Sequence, residues 1–221
     1  MIVSEIIKIS ADDYRGKRYT LMPDDQKNSL QKLPGKSGYY YFLDRLDRLK
    51  IVTPDKEKIV AKLDLNHPNF PISDAVQVGT ISVDPEYRGQ GLAMALYGIV
   101  LSILRLTLLA GTSQTPRGRR MWLILWELQK RIPNLSVRGY FSIGDWNFDD
   151  DRDIPIIVGR LGAEYLGEVN NYHMFAFDVN PAVNGRELKA TINTKFSKIY
   201  GSAVGSTADY VHEVGLFARI E

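Results

Sequence analysis

Residues 76–93 constrain this chain more than any other stretch. Val76 to Val83 is rich in β-branched residues with a period of two, which predicts a strand. Pro85 stops it. Arg88-Gly89-Gln90-Gly91 follows, and then Leu92, Leu96, Ile99 and Ile103 recur at helical spacing. Strand, glycine turn and helix therefore succeed one another with almost no linker. Neither glycine carries a Cβ, so a ligand can approach the main chain closely. The first N–H groups of the helix point into the turn without an intrahelical partner. A helix start of this kind is an anion site, best suited to phosphate or pyrophosphate.

Two familiar phosphate motifs do not fit. A P-loop needs Lys and Ser or Thr after its last glycine, and neither is present. The dinucleotide fingerprint needs a third glycine where Met94 stands, and it opens the first strand–helix unit of a chain, not the middle. The stretch resembles instead the acyl-coenzyme A signature of the GNAT family of N-acetyltransferases. That signature is Arg or Gln, two variable residues, Gly, one variable residue, then Gly or Ala; Arg88, Gly91 and Ala93 fill its slots. The approach Val83-Asp84-Pro85-Glu86-Tyr87 is similar to the family's as well.

The chain has 221 residues, enough for a real core. Its 44% hydrophobic and 24% charged content is ordinary for a globular protein. A net charge of +2 does not call for nucleic acid. With no cysteine, disulfides, thiolate metal sites and a cysteine nucleophile are excluded. No metal is expected. The start Met1-Ile2-Val3-Ser4-Glu5 lacks the pattern of a secretion signal, and a cytoplasmic location is expected. The apolar run from Gly91 to Gly111 is interrupted by Arg105, so it reads as a buried helix followed by a buried strand rather than a membrane span.

Further strands are predicted over Met1–Ile9, Gly38–Leu43, Leu46–Val52, Lys58–Leu65, Arg105–Ala110, Val137–Ile143 and His173–Val179. Asp12–Leu33 reads as helix or loop. A helix is expected from Pro116, capped by Thr115, to about Arg131, and a short one over Asp153–Leu161 ending at Gly162. This order matches the family's plan. The expected class is α/β (α+β), with a mixed, mostly antiparallel central sheet flanked by helices. The resemblance covers 1–180, the expected acyltransferase domain. Beyond Pro181 the family plan supplies nothing. Leu188–Tyr200 and Asp209–Ile220 alternate weakly, so 181–221 reads as a hairpin-like C-terminal extension packed on the domain or mediating contacts.

The resemblance implies transfer of an acyl group from acyl-coenzyme A, with acetyl-coenzyme A the expected donor, to an amine of a small molecule or protein by direct attack. It places the pyrophosphate on the backbone of Gly89, Gly91, Leu92 and Ala93, with Arg88 and Gln90 as side-chain donors. It pairs the pantetheine arm with Ile81, Ser82 and Val83. Many members carry an acidic Tyr on the helix after the next strand. Here that place holds Trp122, and an indole is no useful proton donor at neutral pH. Ser113 or Gln114 could offer a hydrogen bond instead, and Asp64 and His67 are base candidates. Tyr97 and Tyr140 are the alternative acids.

Two charge clusters remain. Arg117, Arg119, Arg120, Lys130 and Arg131 form either a solvated face or a phosphate site, for the donor's 3′-phosphate or for nucleic acid. Asp145, Asp149, Asp150, Asp151 and Asp153 surround Trp146 and Phe148, as a flexible acidic loop or as one that attracts a cationic amine. The alternative functions are a nucleic-acid-modifying relative and a non-catalytic binding protein. A homodimer is compatible with both; a membrane partner is not expected.

Overall fold

The computed structural model describes residues 20–21, 29–44, 47–111, 114–144, 149–181, 185–200 and 211–220. The strand expected over Met1–Ile9 and the residue Ser113 lie outside them. The chain divides into two compact units, residues up to 67 with 76–104, and residues 68–75 with 105 onward.

In the first unit, β2 (Gln31–Lys32), β3 (Tyr40–Asp44), β4 (Arg48–Val52), β5 (Lys58–Asn66) and β6 (Ala75–Val83) form an antiparallel meander. The short β1 (Thr20–Leu21) pairs with the start of β5. Where the helix-or-loop expectation for 12–33 is covered, β1 and β2 correct it. The turn between β4 and β5 forms at Thr53–Lys56, where Lys56 N donates to the Thr53 carbonyl. Helix α1 (Leu92–Gly98) packs against β4 and β5. It continues as a π-helical turn, Ile99–Ile103, so the helical run is unbroken from 92 to 103. Leu92, Leu96, Tyr97 and Val100 are buried in it, and Leu49, Ile51 and Leu63 are buried in β4 and β5. Arg105 then takes a left-handed conformation (φ 54), a usual way to end a helix.

In the second unit the strand order is β7 (Thr107–Leu109), β11 (Val211–Ile220), β8 (Leu135–Gly144), β10 (Tyr172–Phe177) and β9 (Glu164–Val169), each pair antiparallel. One face of this sheet presents Phe141, Ile143, Phe175 and Val211 to α3 (Asp150–Leu161) and α4 (Gly185–Tyr200), which contribute Ile157, Leu188, Ile192 and Phe196. The other face presents Tyr140, Met174, Ala176 and Phe217, covered by Phe70 and Ile72. Helix α2 (Pro116–Leu128) starts as its sequence requires: the Thr115 hydroxyl accepts from Gly118 N at 3.1 Å, and Pro116 sits at the first position.

The protein is thus of the α/β class, with mostly antiparallel sheet and four helices among the described residues. The C-terminal stretch is corrected. Residues 185–200 are a helix and 211–220 a strand between β7 and β8, so they do not form a hairpin-like appendage. Leu188, Ile192 and Phe196 recur every four residues and all are buried, which is a helical and not an alternating pattern. Strand β9 is a further element that the sequence pattern left unmarked.

Candidate functional site

The glycine turn forms as its residues require. Asp84 accepts from Glu86 N at 3.1 Å and caps a 3-10 turn over Pro85–Tyr87. Gly89 (φ 84) and Gly91 (φ 75) then take the left-handed conformation, which a side chain would strain. Gly91 is the residue before α1, and it caps the helix with no side chain at all. Ala95 N is the first to close a helical bond, onto the Gly91 carbonyl at 3.0 Å. The N–H groups of Leu92, Ala93 and Met94 are therefore the donors at the helix start. Leu92 is buried and anchors the helix, while Gly89 and Gln90 are exposed.

Side chains hold this turn on both sides. Arg88 Nε donates to the Val83 carbonyl at 3.1 Å and ties the turn to the end of β6. Tyr39 donates its hydroxyl proton to Gln90 Oε1 at 2.7 Å. Partial burial, the charge of Tyr87 and that hydrogen bond act together on Tyr39; the first two outweigh the third and raise its pKa. Tyr39 had no signal in the sequence, since the contact spans 51 positions.

Ile81, Ser82 and Val83 pair with Leu63, Lys62 and Ala61 of β5. Just before them Gly79 is a β-bulge: Leu65 opposes Val78, the next pair is Asp64 with Thr80, and Gly79 has no partner. A side chain there would meet Asn66 at 3.2 Å and the Asp64 carbonyl at 3.3 Å. A lone glycine inside a strand pattern is the signal that marks such a bulge. The base candidates are separated from each other by their surroundings. Asp64 accepts from the Thr80 hydroxyl and lies 3.7 Å from Arg48 Nε. His67 is on the exposed loop after β5.

The second unit holds a pocket of about 200 Å³ lined by Gln114, Arg119, Tyr140 and Glu213. Tyr140 donates to Glu213 Oε1 at 3.0 Å. Its ring lies across Gly215, its partner on β11, where an added Cβ would come within 2.6 Å of the Tyr140 oxygen. Burial above all, with the charge and hydrogen bond of Glu213, pushes the Tyr140 hydroxyl well above its ordinary pKa. Burial does the same to Tyr97. Gln114 and Tyr140 are the sequence-named candidates that line this pocket. Trp122 is buried in α2.

The two charge clusters take definite forms. Lys130 pairs with Glu127 at 2.8 Å and lies 4.3 Å from the Trp126 ring centre, so part of the basic face is occupied internally. From Asp149 onward the acidic segment is corrected from a flexible loop to a helix start. Asp149 accepts from Arg152 N at 3.3 Å, and Asp150, Asp151 and Asp153 fill the first turn of α3. Carboxylates are favoured there by the helix dipole. Asp145, Trp146 and Phe148 lie outside the described residues. Among the described residues no group of side chains has a metal-ligand arrangement, and no helix is long and apolar enough to cross a membrane.

No protein-family model matches the chain, and no curated protein matches it. A solved structure, a GCN5-related N-acetyltransferase from Sphaerobacter thermophilus, is similar at 12% sequence identity and a TM-score of 0.28, over 80% of this chain and 82% of that one.

Proposed function

We propose that this protein is an acyl-coenzyme A-dependent N-acyltransferase with acetyl-coenzyme A as donor. The observation that carries the reading is the turn after β6: two left-handed glycines opening a helical run, with Arg88 and Tyr39 holding the turn in place. The backbone N–H groups of Gly89, Gln90, Gly91, Leu92 and Ala93 would hold the pyrophosphate. Arg88 would add charge from its guanidinium while its Nε stays on Val83. Ile81, Ser82 and Val83 would pair with the pantetheine arm.

The donor supplies an activated thioester. An acceptor ammonium first loses a proton to water. The neutral nitrogen attacks the thioester carbonyl, a C–N bond forms and the C–S bond breaks. The second nitrogen proton ends on the departing sulfur, giving amide and thiol. Gln114 is the proposed hydrogen-bond donor of the second unit, where burial and Glu213 make the Tyr140 hydroxyl a poor proton source. Asp64 and His67 remain the proposed bases of the first unit, although Asp64 is already engaged by Thr80 and Arg48.

Native mass spectrometry of the protein as purified tests the cofactor directly. The expected result is a retained mass of a coenzyme A species, or one acquired on adding acetyl-coenzyme A. A second reading, a non-catalytic binding protein, is favoured by the buried Trp122 where the resemblance expects an acidic Tyr. Acyl transfer to any amine removes it.

A further inference from the structure

Tyr39 stands on fixed backbone. It is the last residue of the loop between β2 and β3, and both of its main-chain groups are used there. Leu33 N donates to the Tyr39 carbonyl at 2.9 Å, and Tyr39 N donates to the Lys36 carbonyl at 3.3 Å. Leu33 is itself buried. Gly38 takes a left-handed conformation (φ 84), and an added Cβ there would meet Pro54 at 3.2 Å. The missing side chain lets the loop pack against the turn between β4 and β5. β3 begins at the next residue, Tyr40. The chain that carries the Tyr39 ring is thus held on both sides.

Gln90 has no such support of its own. It lies between the two left-handed glycines, Gly89 and Gly91, and it is exposed. Glutamine is among the side chains with most rotamer freedom to lose on ordering. Its terminal torsion is two-fold, so a free amide turns either its oxygen or its NH2 group to a neighbour. At an anion the difference matters, because the NH2 group attracts it and the oxygen repels it. Tyr39 removes the choice. Its hydroxyl, protonated at neutral pH, donates to Gln90 Oε1 at 2.7 Å. With the oxygen held by Tyr39, the NH2 group faces away from that ring.

We propose that Tyr39 is a positioning residue for the pyrophosphate: by holding Gln90 Oε1 it presents the Gln90 NH2 group, and not the amide oxygen, to the anion. This role rests on the function proposed above, which puts a pyrophosphate on the turn. Gln90 touches the ligand, and Tyr39 acts through Gln90. Without the Tyr39 hydroxyl the amide must be both ordered and turned at the moment of binding, and affinity falls by that cost.

Titration with sodium pyrophosphate, and separately with coenzyme A, tests it, followed by NMR of isotope-labelled protein. The Gln90 side-chain signal is the one missing from Gln90→Ala, and both ligands should move it. Tyr39→Phe should weaken both ligands about three- to tenfold, the scale of one hydrogen bond, and reduce the movement at saturation. In a Gln90→Ala background Tyr39→Phe should cost nothing further, because the two residues act as one unit. Gln90→Glu keeps an acceptor for Tyr39 but puts a charge where the NH2 group was, so it should bind more weakly than Gln90→Ala. Dephospho-coenzyme A, which lacks only the 3′-phosphate, should suffer the same loss in Tyr39→Phe as coenzyme A. Thermal melts establish that each variant is folded. The proposal is overturned if folded Tyr39→Phe binds like wild type, if its loss adds in full to that of Gln90→Ala, if dephospho-coenzyme A escapes the loss, or if neither ligand moves the Gln90 signal. Coenzyme A binding indifferent to Tyr39 overturns the positioning role and leaves the proposed function standing. Pyrophosphate binding that depends on Gln90 and Tyr39, with no binding of coenzyme A, supports the positioning role and removes the proposed function.

Discussion

Gly91 has a positive φ and stands at the start of a helix, so a side chain there acts in two ways. It strains the turn, and it occupies the space over the first N–H groups. Gly91→Glu adds a negative charge where the pyrophosphate is proposed to sit. Calorimetry should find acetyl-coenzyme A binding abolished in a folded Gly91→Glu protein; wild-type affinity would remove the cofactor assignment. Arg88→Ala should be milder, because one charged hydrogen bond is worth roughly 1.5–3 kcal/mol and the backbone donors remain. Gly215 is constrained by a neighbour rather than by its φ. In Gly215→Ala the new methyl meets the Tyr140 ring, which must shift and release Glu213. Overpacking of this kind costs about 1–3 kcal/mol, and the expected outcome is a lower denaturation midpoint in urea with an unchanged m-value.

Helix α3 shows how one element gathers charge without forming a loop. Asp149 caps it, and Asp153 reaches back to accept from Asp149 N at 2.9 Å. Arg152 clamps the same carboxylate through Nε at 3.0 Å and Nη2 at 2.9 Å. Burial pushes the Asp153 carboxyl upward, but the Arg152 guanidinium and the Asp149 N–H outweigh it and hold the pKa below the ordinary 3.8. A carboxyl with a depressed folded pKa contributes stability above its unfolded pKa and loses it as pH falls through the folded value. Stability from this residue should therefore be fully present at neutral pH and decline below about pH 4. Asp153→Asn places an amide against a guanidinium and a backbone N–H. It should cost on the order of 1–3 kcal/mol at pH 7 and flatten the acid limb of a stability–pH curve. An unchanged acid limb would mean that Asp153 carries no such load.

At the scale of the molecule, β11 is the decisive element. It lies between β7 and β8, although it is the last strand of the chain. A protein ending at residue 180 loses this strand and also α4, which covers Phe141 and Val211. Its circular dichroism should show lost strand signal and no cooperative melt for the second unit; a native-like melt would show that 181–221 is dispensable. Turnover as a function of pH is also a whole-molecule property. Burial and Glu213 push the Tyr140 hydroxyl well above its ordinary pKa. Acyl transfer should then rise with pH as the acceptor amine deprotonates, with no falling limb near the ordinary Tyr pKa of about 10. A falling limb that disappears in Tyr97→Phe or Tyr140→Phe would identify that tyrosine as the acid. With no cysteine in the chain, every thiol detected is released coenzyme A.

The local elements were legible before any coordinates. Strand β6, the turn at Gly89 and Gly91, the start of α1, the Thr115 cap of α2 and the Gly162 end of α3 all depend on residues within a few positions of each other, so their conformational preferences are written in order along the chain. The helix at 185–200 was equally local, and its period of four was there to be read in Leu188, Ile192 and Phe196. The pocket was not. Tyr140 and Glu213 are separated by 73 positions, and they meet because a bulge at His212 sets the register of β11 against β8. Register is a property of two strands together. How β7 pairs with β11 is likewise decided by how the sheet assembles and not by any one of its segments.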